Sequence, residues 1–341
     1  VRMSPFEDHI EFDLLGIGNA IVDVLAETED TFLTAHDLVK GSMTLVDAPM
    51  AERLYHAMGP AIEVSGGSCA NTVAGAAMLG ARAAYIGKTA PDQLGEIFGH
   101  DLRALGVSYR TPFGRPEPPT ARCFVLVSAD AQRTMATYLG ACVELGPEDI
   151  DPDLVARARV LYLEGYLWDP PRAKDALRYA MQAAKDADRT VALSLSDTFC
   201  VERHRVEFQE LVSGPVDIMF ANEAEALAIS QQSTLSGAVE WLTGRCALAI
   251  ITRGAKGAMV ISADGVHEVA AIAPAAVVDT TGAGDLFAAG FLFGYTRGWD
   301  PVACARAGAA AASEVIAHFG ARPERDLIAL VEHAIQHKEQ G

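Results

Sequence analysis

The stretch Asp279-Thr280-Thr281-Gly282-Ala283-Gly284-Asp285 runs straight into Leu286-Phe287-Ala288-Ala289-Gly290-Phe291-Leu292, so a glycine-rich turn opens a small-residue, amphipathic helix. The first turn of a helix carries backbone N–H groups without an intrahelical partner, and the helix dipole adds positive potential there. The amides from Thr281 to Asp285 therefore predict an anion site suited to phosphate, with Gly282, Ala283 and Gly284 at its centre. Glycine lets the backbone approach the anion and adopt dihedrals closed to other residues. Asp285 has two readings. As an acidic helix cap it gains from the dipole. Beside a bound phosphate it is repelled, unless its task is to accept a proton. A carboxylate next to an amide-lined anion hole suits phosphoryl transfer, with Asp285 taking the proton of a substrate hydroxyl and the amides stabilising charge on the transferred group.

Four more segments place polar groups at predicted strand ends. Gly18-Asn19-Ala20-Ile21-Val22-Asp23 follows the first strand, and the Asp23 carboxylate can accept two hydroxyl hydrogen bonds at once, or serve as a turn aspartate. Gly66-Gly67-Ser68-Cys69-Ala70-Asn71 opens a second small-residue helix; Asn71 offers a donor and an acceptor to a polyol. Asn222-Glu223-Ala224-Glu225 starts a helix, where an N-capping asparagine with first-turn acids is an adequate account by itself. Thr252-Arg253-Gly254-Ala255-Lys256-Gly257 turns one strand back into the next.

The elements that must hold these groups alternate. Strand-like runs at Phe12–Gly18, Ala83–Ile86, Val160–Leu163, Thr190–Leu195, Val216–Ala221 and Ala247–Thr252 are interleaved with helix-like segments at Ser68–Leu79, Arg172–Ala187 and Glu223–Ile229. Continuous apolar strands alternating with helices predict an α/β fold with a mainly parallel sheet buried on both faces. Lys40–Asp47 and Arg122–Leu139 break that rhythm, the latter turning at Ala129–Asp130–Ala131; they predict a small β-sheet lid entered through the four-proline loop Thr111–Thr120. The predicted division is a large domain of residues 1–23, 49–107 and 143–341 and a lid of residues 24–48 and 108–142. With 45 acidic against 27 basic side chains in 341 residues, the net charge of −18 argues against a nucleic-acid binder. No run reaches the ~20 apolar residues of a membrane span. Charges interrupt the N-terminal segment where a signal peptide needs an apolar core, and the six cysteines form no CxxC pair, so the expectation is a cytoplasmic protein with reduced thiols and no zinc site. Gly16-Ile17-Gly18 lacks the third glycine of a dinucleotide fingerprint, Ile21 standing in its place.

The whole segment Asp279–Leu292 resembles the second signature of the PfkB, or ribokinase-like, carbohydrate kinase family at every constrained position. That resemblance implies a ribokinase-like three-layer sandwich with a mainly parallel central sheet and a small β-sheet lid. It also implies transfer of the ATP γ-phosphoryl group to an alcohol. By the same resemblance Asn19, Asp23, Gly66, Gly67, Ser68, Asn71, Glu164 and Thr281 bind the acceptor, while Asn222, Thr252, Arg253, Gly254 and Gly257 bind ATP. Glu225 is implied in magnesium handling, through water, and Asp279 in holding a monovalent cation such as potassium. Cys69 departs from the family's first signature, which has Gly, Ala or Pro there; GGSxxN and GNxxxD resemble the adenosine kinase branch instead.

The acceptor is less determined than the reaction. A nucleoside needs an apolar slot for its base, for which Tyr138, Tyr166 and Trp168 are candidates beside their alternative as packing residues. A ribose, fructose or related sugar fits the carboxylate of Glu164, and Arg133 either faces an anionic substrate or pairs on the lid. A catalytically retired nucleotide-sensing protein on the same fold is the non-enzyme alternative, against which the intact turn and Asp285 count. The expected partners are a small nucleoside or sugar, without nucleic acid or membrane, in a monomer or a dimer paired through the lids.

Overall fold

The computed structural model describes residues 10–130 and 132–336; the reading of the N-terminal residues and of Ala131 in the hairpin turn lies outside them. In chain order the strands are β1 (Phe12–Ile17), β2 (Ile21–Thr28), β3 (Met43–Leu45), β4 (Ile62–Gly66), β5 (Ala83–Ile86), β6 (Ser108–Tyr109), β7 (Ala121–Ser128), β8 (Arg133–Tyr138), β9 (Ala158–Glu164), β10 (Thr190–Ser194), β11 (Ile218–Asn222), β12 (Leu248–Thr252), β13 (Ala258–Ser262) and β14 (Gly265–Val269). The helices are α1 (Asp30–Ala35), α2 (Ala48–Ala57), α3 (Ser68–Met78), α4 (Gln93–Ala104), α5 (Pro152–Ala156), α6 (Pro171–Asp186), α7 (Thr198–Val212), α8 (Glu223–Ser230), α9 (Leu235–Leu242), α10 (Ala283–Thr296), α11 (Pro301–Val315) and α12 (Leu327–Gln336).

Nine strands form the large sheet in the order β14-β13-β12-β11-β10-β9-β1-β5-β6, parallel apart from the β12–β13–β14 meander. Side chains alternate across the pleat. Leu14, Val160, Tyr162, Phe220 and Ile250 meet α3, α4, α10, α11 and α12 on one face. Leu15, Leu161, Leu163, Met219 and Ile251 meet α5 to α9 on the other. Both faces are covered, which is why these strands are apolar throughout. Strand order reverses at β1, leaving a crevice between the carboxyl ends of β1 and β9 where open α/β sheets bind ligands.

Five strands form the lid sheet, in the order β3-β8-β7-β2-β4. It is larger than the sequence predicts. β2 begins at Ile21 and pairs with β4, so α2 and β4 belong to the lid, whereas β6 pairs with β5 in the large sheet. The boundaries at 24, 49 and 108 are corrected accordingly. β4 is missed because its pattern is amphipathic and follows a helix, as a parallel-sheet strand would. Val24, Phe124, Leu126 and Ala136 face outward and are covered by Leu33 of α1, Ala51 and Leu54 of α2, and Leu38. The opposite face carries the register rows Asp23–Cys123–Thr137–Leu45 and Leu25–Val125–Met135–Met43, and Arg133 beyond them. Arg133 reaches Asp279 of the large domain, so this face covers the crevice.

Candidate active site

Two small-residue helices converge on the crevice. Glycines allow the approach: a Cβ on Gly75 of α3 would lie 2.5 Å from Leu286, and one on Gly290 of α10 would lie 2.5 Å from the Ala307 carbonyl of α11. Their N-termini therefore meet. Ser68 Oγ donates to Asp285 Oδ1 at 2.6 Å, Asn71 Nδ2 donates to Asp285 Oδ2 at 2.9 Å, and Thr72 Oγ1 donates to the Asp285 carbonyl at 3.1 Å. Burial pushes the Asp285 carboxyl above its ordinary range, opposed by the bonds from Ser68 and Asn71 and by the charge of Arg322.

Gly282 caps α10 at φ +76, and a Cβ there would lie 2.8 Å from Ala321 Cβ, so conformation and space both require glycine. Ala283 N–H turns back to Thr280 O at 3.3 Å and Leu286 N–H to Gly282 O at 2.8 Å. Between them, among the described residues, the amides of Gly284 and Asp285 have no acceptor outside the helix, and the space over Gly284 is open. Fewer amides of this turn are free than expected. Thr281 N–H is taken by Asp279 Oδ1 at 2.9 Å and Thr281 Oγ1 accepts from Arg133 at 2.6 Å. Asp279 is buried; its Oδ2 accepts from Gly320 N at 2.9 Å and pairs with the Arg133 guanidinium. The position implied for a potassium ion is thus balanced by a lid arginine.

On the acceptor side, Asp23 lies against the diglycine, where a Cβ on Gly66 would sit 2.4 Å from its carboxyl carbon. Gly67 has φ +89, and a Cβ there would be 2.4 Å from Asn19 O. Burial pushes the Asp23 carboxyl up to about 7 against the pull of Arg322. Asn71 is 4% exposed, and its Oδ1 is buried without a hydrogen-bond partner. That oxygen is on the amide already bonded to Asp285.

Glu164 does not point a free carboxylate at the crevice. It is 1% exposed; Oε1 accepts from Asn19 Nδ2 at 2.7 Å and Oε2 accepts from Cys69 N at 2.9 Å. Burial pushes its carboxyl up to about 7. Its place is behind the site, tying the exit of β1 to the N-terminus of α3. Of the aromatic candidates, Trp168 is core at 1% exposure, Tyr166 donates its hydroxyl to Ser196 O at 3.3 Å, and Tyr138 packs against the lid core.

On the other side of the turn lies an apolar slot of about 160 Å³ between Thr252, Gly254 and Gly257, the small residues Ala309, Ala312 and Ser313 of α11, and Ala283, Gly284 and Phe287 of α10. It opens onto the free amides. Gly257, at φ +85, would place a Cβ 2.0 Å from Val269 O, so the loop must be glycine there. Asn222 pairs in register with Thr252. Arg253 turns toward Glu223 and Glu268, 3.8 and 3.4 Å away. Glu225 forms a capping box: its oxygens accept from Asn222 N at 2.9 Å and Asn222 Nδ2 at 2.6 Å. Burial pushes its carboxyl up to about 7. Phe287, Ser313 and Arg322 add side chains to the site: Phe287 belongs to the Asp279–Leu292 segment, Ser313 to the alanine-rich α11, and Arg322 to the turn Gly320-Ala321-Arg322.

Residues 61–326 match the family model described as pfkB family carbohydrate kinase. The chain belongs to this family. The pfkB kinase is similar to the crystal structure of adenosine kinase from Sinorhizobium meliloti, at 52% identity and a TM-score of 0.89 over 95% of this chain and 99% of that one. It is also similar to a probable sugar kinase protein from Rhizobium etli CFN 42, at 49% identity and a TM-score of 0.90 over 95% and 99% of the two chains. A 5-dehydro-2-deoxygluconokinase from Geobacillus thermodenitrificans is 24% identical over 99% of this chain and 97% of its own. The fold is ribokinase-like, and the protein is a kinase for a sugar or nucleoside hydroxyl. ATP is the donor this family implies, with magnesium. Among the described residues no group of three or more His, Cys, Asp or Glu forms a metal cage, and Glu225 is spent on Asn222. Among the described residues no helix is long and apolar enough to cross a membrane.

Proposed function

We propose that this kinase transfers the γ-phosphoryl group of ATP to the primary, 5′-type hydroxyl of a ribonucleoside, with adenosine as the acceptor. The observation that carries the reaction is the Asp285 carboxylate, held by Ser68 and Asn71 one residue after the open amide of Gly284. Asp285 accepts the hydroxyl proton as the oxygen attacks the γ-phosphorus, whose bond to the β–γ bridging oxygen breaks so that ADP leaves. Charge on the moving phosphoryl group is met by the Gly284 and Asp285 amides and the α10 dipole. Magnesium, bound to the ATP phosphates, supplies charge neutralisation. Asp23 orients the ribose hydroxyls, and the slot over α11 takes the donor's adenine.

Two features favour a nucleoside acceptor. The lid face over the crevice is largely aliphatic, with Leu25, Val125, Met135, Met43 and Leu45 in two rows, and Met43 and Leu45 are 45% and 57% exposed. Such a face suits a planar base better than a free polyol. Glu164, the carboxylate a free sugar would use, is 1% exposed and bonded behind the crevice to Asn19 and Cys69, whereas Asp285 is only partly buried. A free-sugar kinase is the second reading, favoured by the similarity to the Rhizobium etli protein. ATP consumption with adenosine, other nucleosides, ribose, fructose, a keto-deoxy sugar acid and no acceptor separates the two. Selective turnover of adenosine is expected; turnover of a free sugar alone would overturn the acceptor assignment.

We infer a monomer. The outer lid face is covered by α1 and α2, and the lid edges β3 and β4 are 3 and 5 residues long, too short to template a partner sheet. Light scattering on the eluting protein should give the mass of one chain; twice that mass would refute the inference.

A further inference from the structure

We propose that Arg322 is a positioning residue of the reaction centre: its guanidinium fastens the two ends of the Gly66–Gly67 turn together and sets a fixed positive charge against Asp23 and Asp285. The inference rests on the reading of Asp285 as the base. Arg322 lies in the turn between α11 and α12. Its Nη2 donates to Ser65 O at 2.9 Å and Ser65 Oγ at 3.0 Å, immediately before the diglycine. Its Nη1 donates to Ala70 O at 3.2 Å, in the first turn of α3. Between these anchors lie Gly66, Gly67, Ser68 and Cys69. The glycines have no side chains to hold them, and Gly67 sits at φ +89. A planar guanidinium fork is suited to spanning such a turn. The turn in turn places Ser68 and Asn71, which hold Asp285.

The second effect is electrostatic. Arg322 draws both Asp23 and Asp285 toward the ionised form against their burial. The other groups facing this cluster are Asp101 of α4, which accepts from Ser65 N at 2.9 Å, Tyr85 of β5, and Asp279 with its lid partner Arg133. Cys69, Tyr162 and Glu164 lie behind; burial pushes each of them up, and the Asp285 charge adds to it. Arg133 acts on Asp23; the cation acting on Asp285 is Arg322. A base works only when deprotonated, so losing this charge must move activity to higher pH.

The test compares the wild type with R322Q, R322K and D285N. Rates with ATP, magnesium and whichever acceptor turns over are measured from acid to alkaline pH, alongside thermal unfolding. In R322Q the acidic limb of kcat/KM should move up by about one pH unit, about tenfold in rate below the limb, with rates within about threefold above it. R322K, which keeps the charge, should restore the limb. Superimposable profiles for R322Q and wild type overturn the proposal. So does an equal loss at every pH in both Arg322 variants, which marks a purely structural residue. If R322Q does not fold, R322K decides alone, by a retained limb or by uniform loss. Near-normal turnover in D285N sinks the base assignment itself, a result seen without reference to either Arg322 profile.

Discussion

Replacing Asp285 with asparagine removes the proton acceptor and little else. In the native site the carboxylate accepts from Ser68 Oγ at 2.6 Å and from Asn71 Nδ2 at 2.9 Å. An asparagine side chain in that place keeps the first bond through its oxygen, but its amide would face the Asn71 amide, donor to donor. The Asn71 Oδ1 is buried and unpartnered, so half a turn of that amide presents an acceptor and restores the second bond. The Asp285→Asn protein should therefore fold. It should also resist heat at least as well as wild type at alkaline pH. Burial raises the folded carboxyl above its unfolded value, so the ionised form costs stability once the pH exceeds the unfolded range. Catalysis should fall by about 10²–10⁴ in kcat, the range for a lost general base, or about 3–5 kcal/mol of barrier. The KM for ATP should stay near wild type, because the Gly284 amide and the slot over α11 are untouched. Initial rates of ADP release with saturating acceptor, paired with a melting curve, check this. A folded variant turning over within tenfold of wild type would refute the proton-transfer argument.

Glu164→Gln should weaken the tie between Asn19 and α3 while leaving acceptor specificity unchanged; a selective rise in acceptor KM would instead make Glu164 a substrate ligand. The same residue predicts a pH effect. With its carboxyl raised from 4.5 to about 7, the folded state keeps a proton that the unfolded state releases, so its stabilising contribution is present below about 4.5 and is lost as pH rises to about 7. Melting temperature against pH should be flatter in Glu164→Gln across that window, and an unchanged slope would contradict the burial account. Gly282→Ala forces a φ of +76 on a residue with a Cβ 2.8 Å from Ala321, and should cost about 1–3 kcal/mol in a denaturant titration. A fully stable, active variant would show that the turn tolerates a side chain. Because Arg133 already balances Asp279, exchanging potassium for choline should leave the rate within about twofold, since no charge is left uncompensated. A strong loss without potassium would mean that the arginine vacates this position in the working enzyme.

The local chemistry was legible in the sequence because it is written in contiguous residues. A glycine turn opening a helix needs no distant partner to leave its first amides free, and Gly282 at the start of α10 leaves those of Gly284 and Asp285 so. Alternating apolar strands and helices were enough for the doubly covered parallel sheet, because burial on both faces leaves a continuous apolar run. The lid was legible as an irregularity but not in extent: β4 joins it through pairing with β2, a contact set by register across the chain. Tertiary structure alone decided how the polar groups are shared. Glu164, read as a sugar ligand, is consumed by Asn19 and Cys69; Glu225, read as a magnesium residue, is consumed by Asn222; Asp279 is claimed by Arg133 from a different sheet. A buried carboxylate must find donors wherever packing supplies them, and Asn19, which serves Glu164, lies 145 residues from it in sequence. The sequence specified which chemical groups the chain brings to the crevice; the packing of α3 against α10 and of the lid against both determined which of them remain free to act on a substrate.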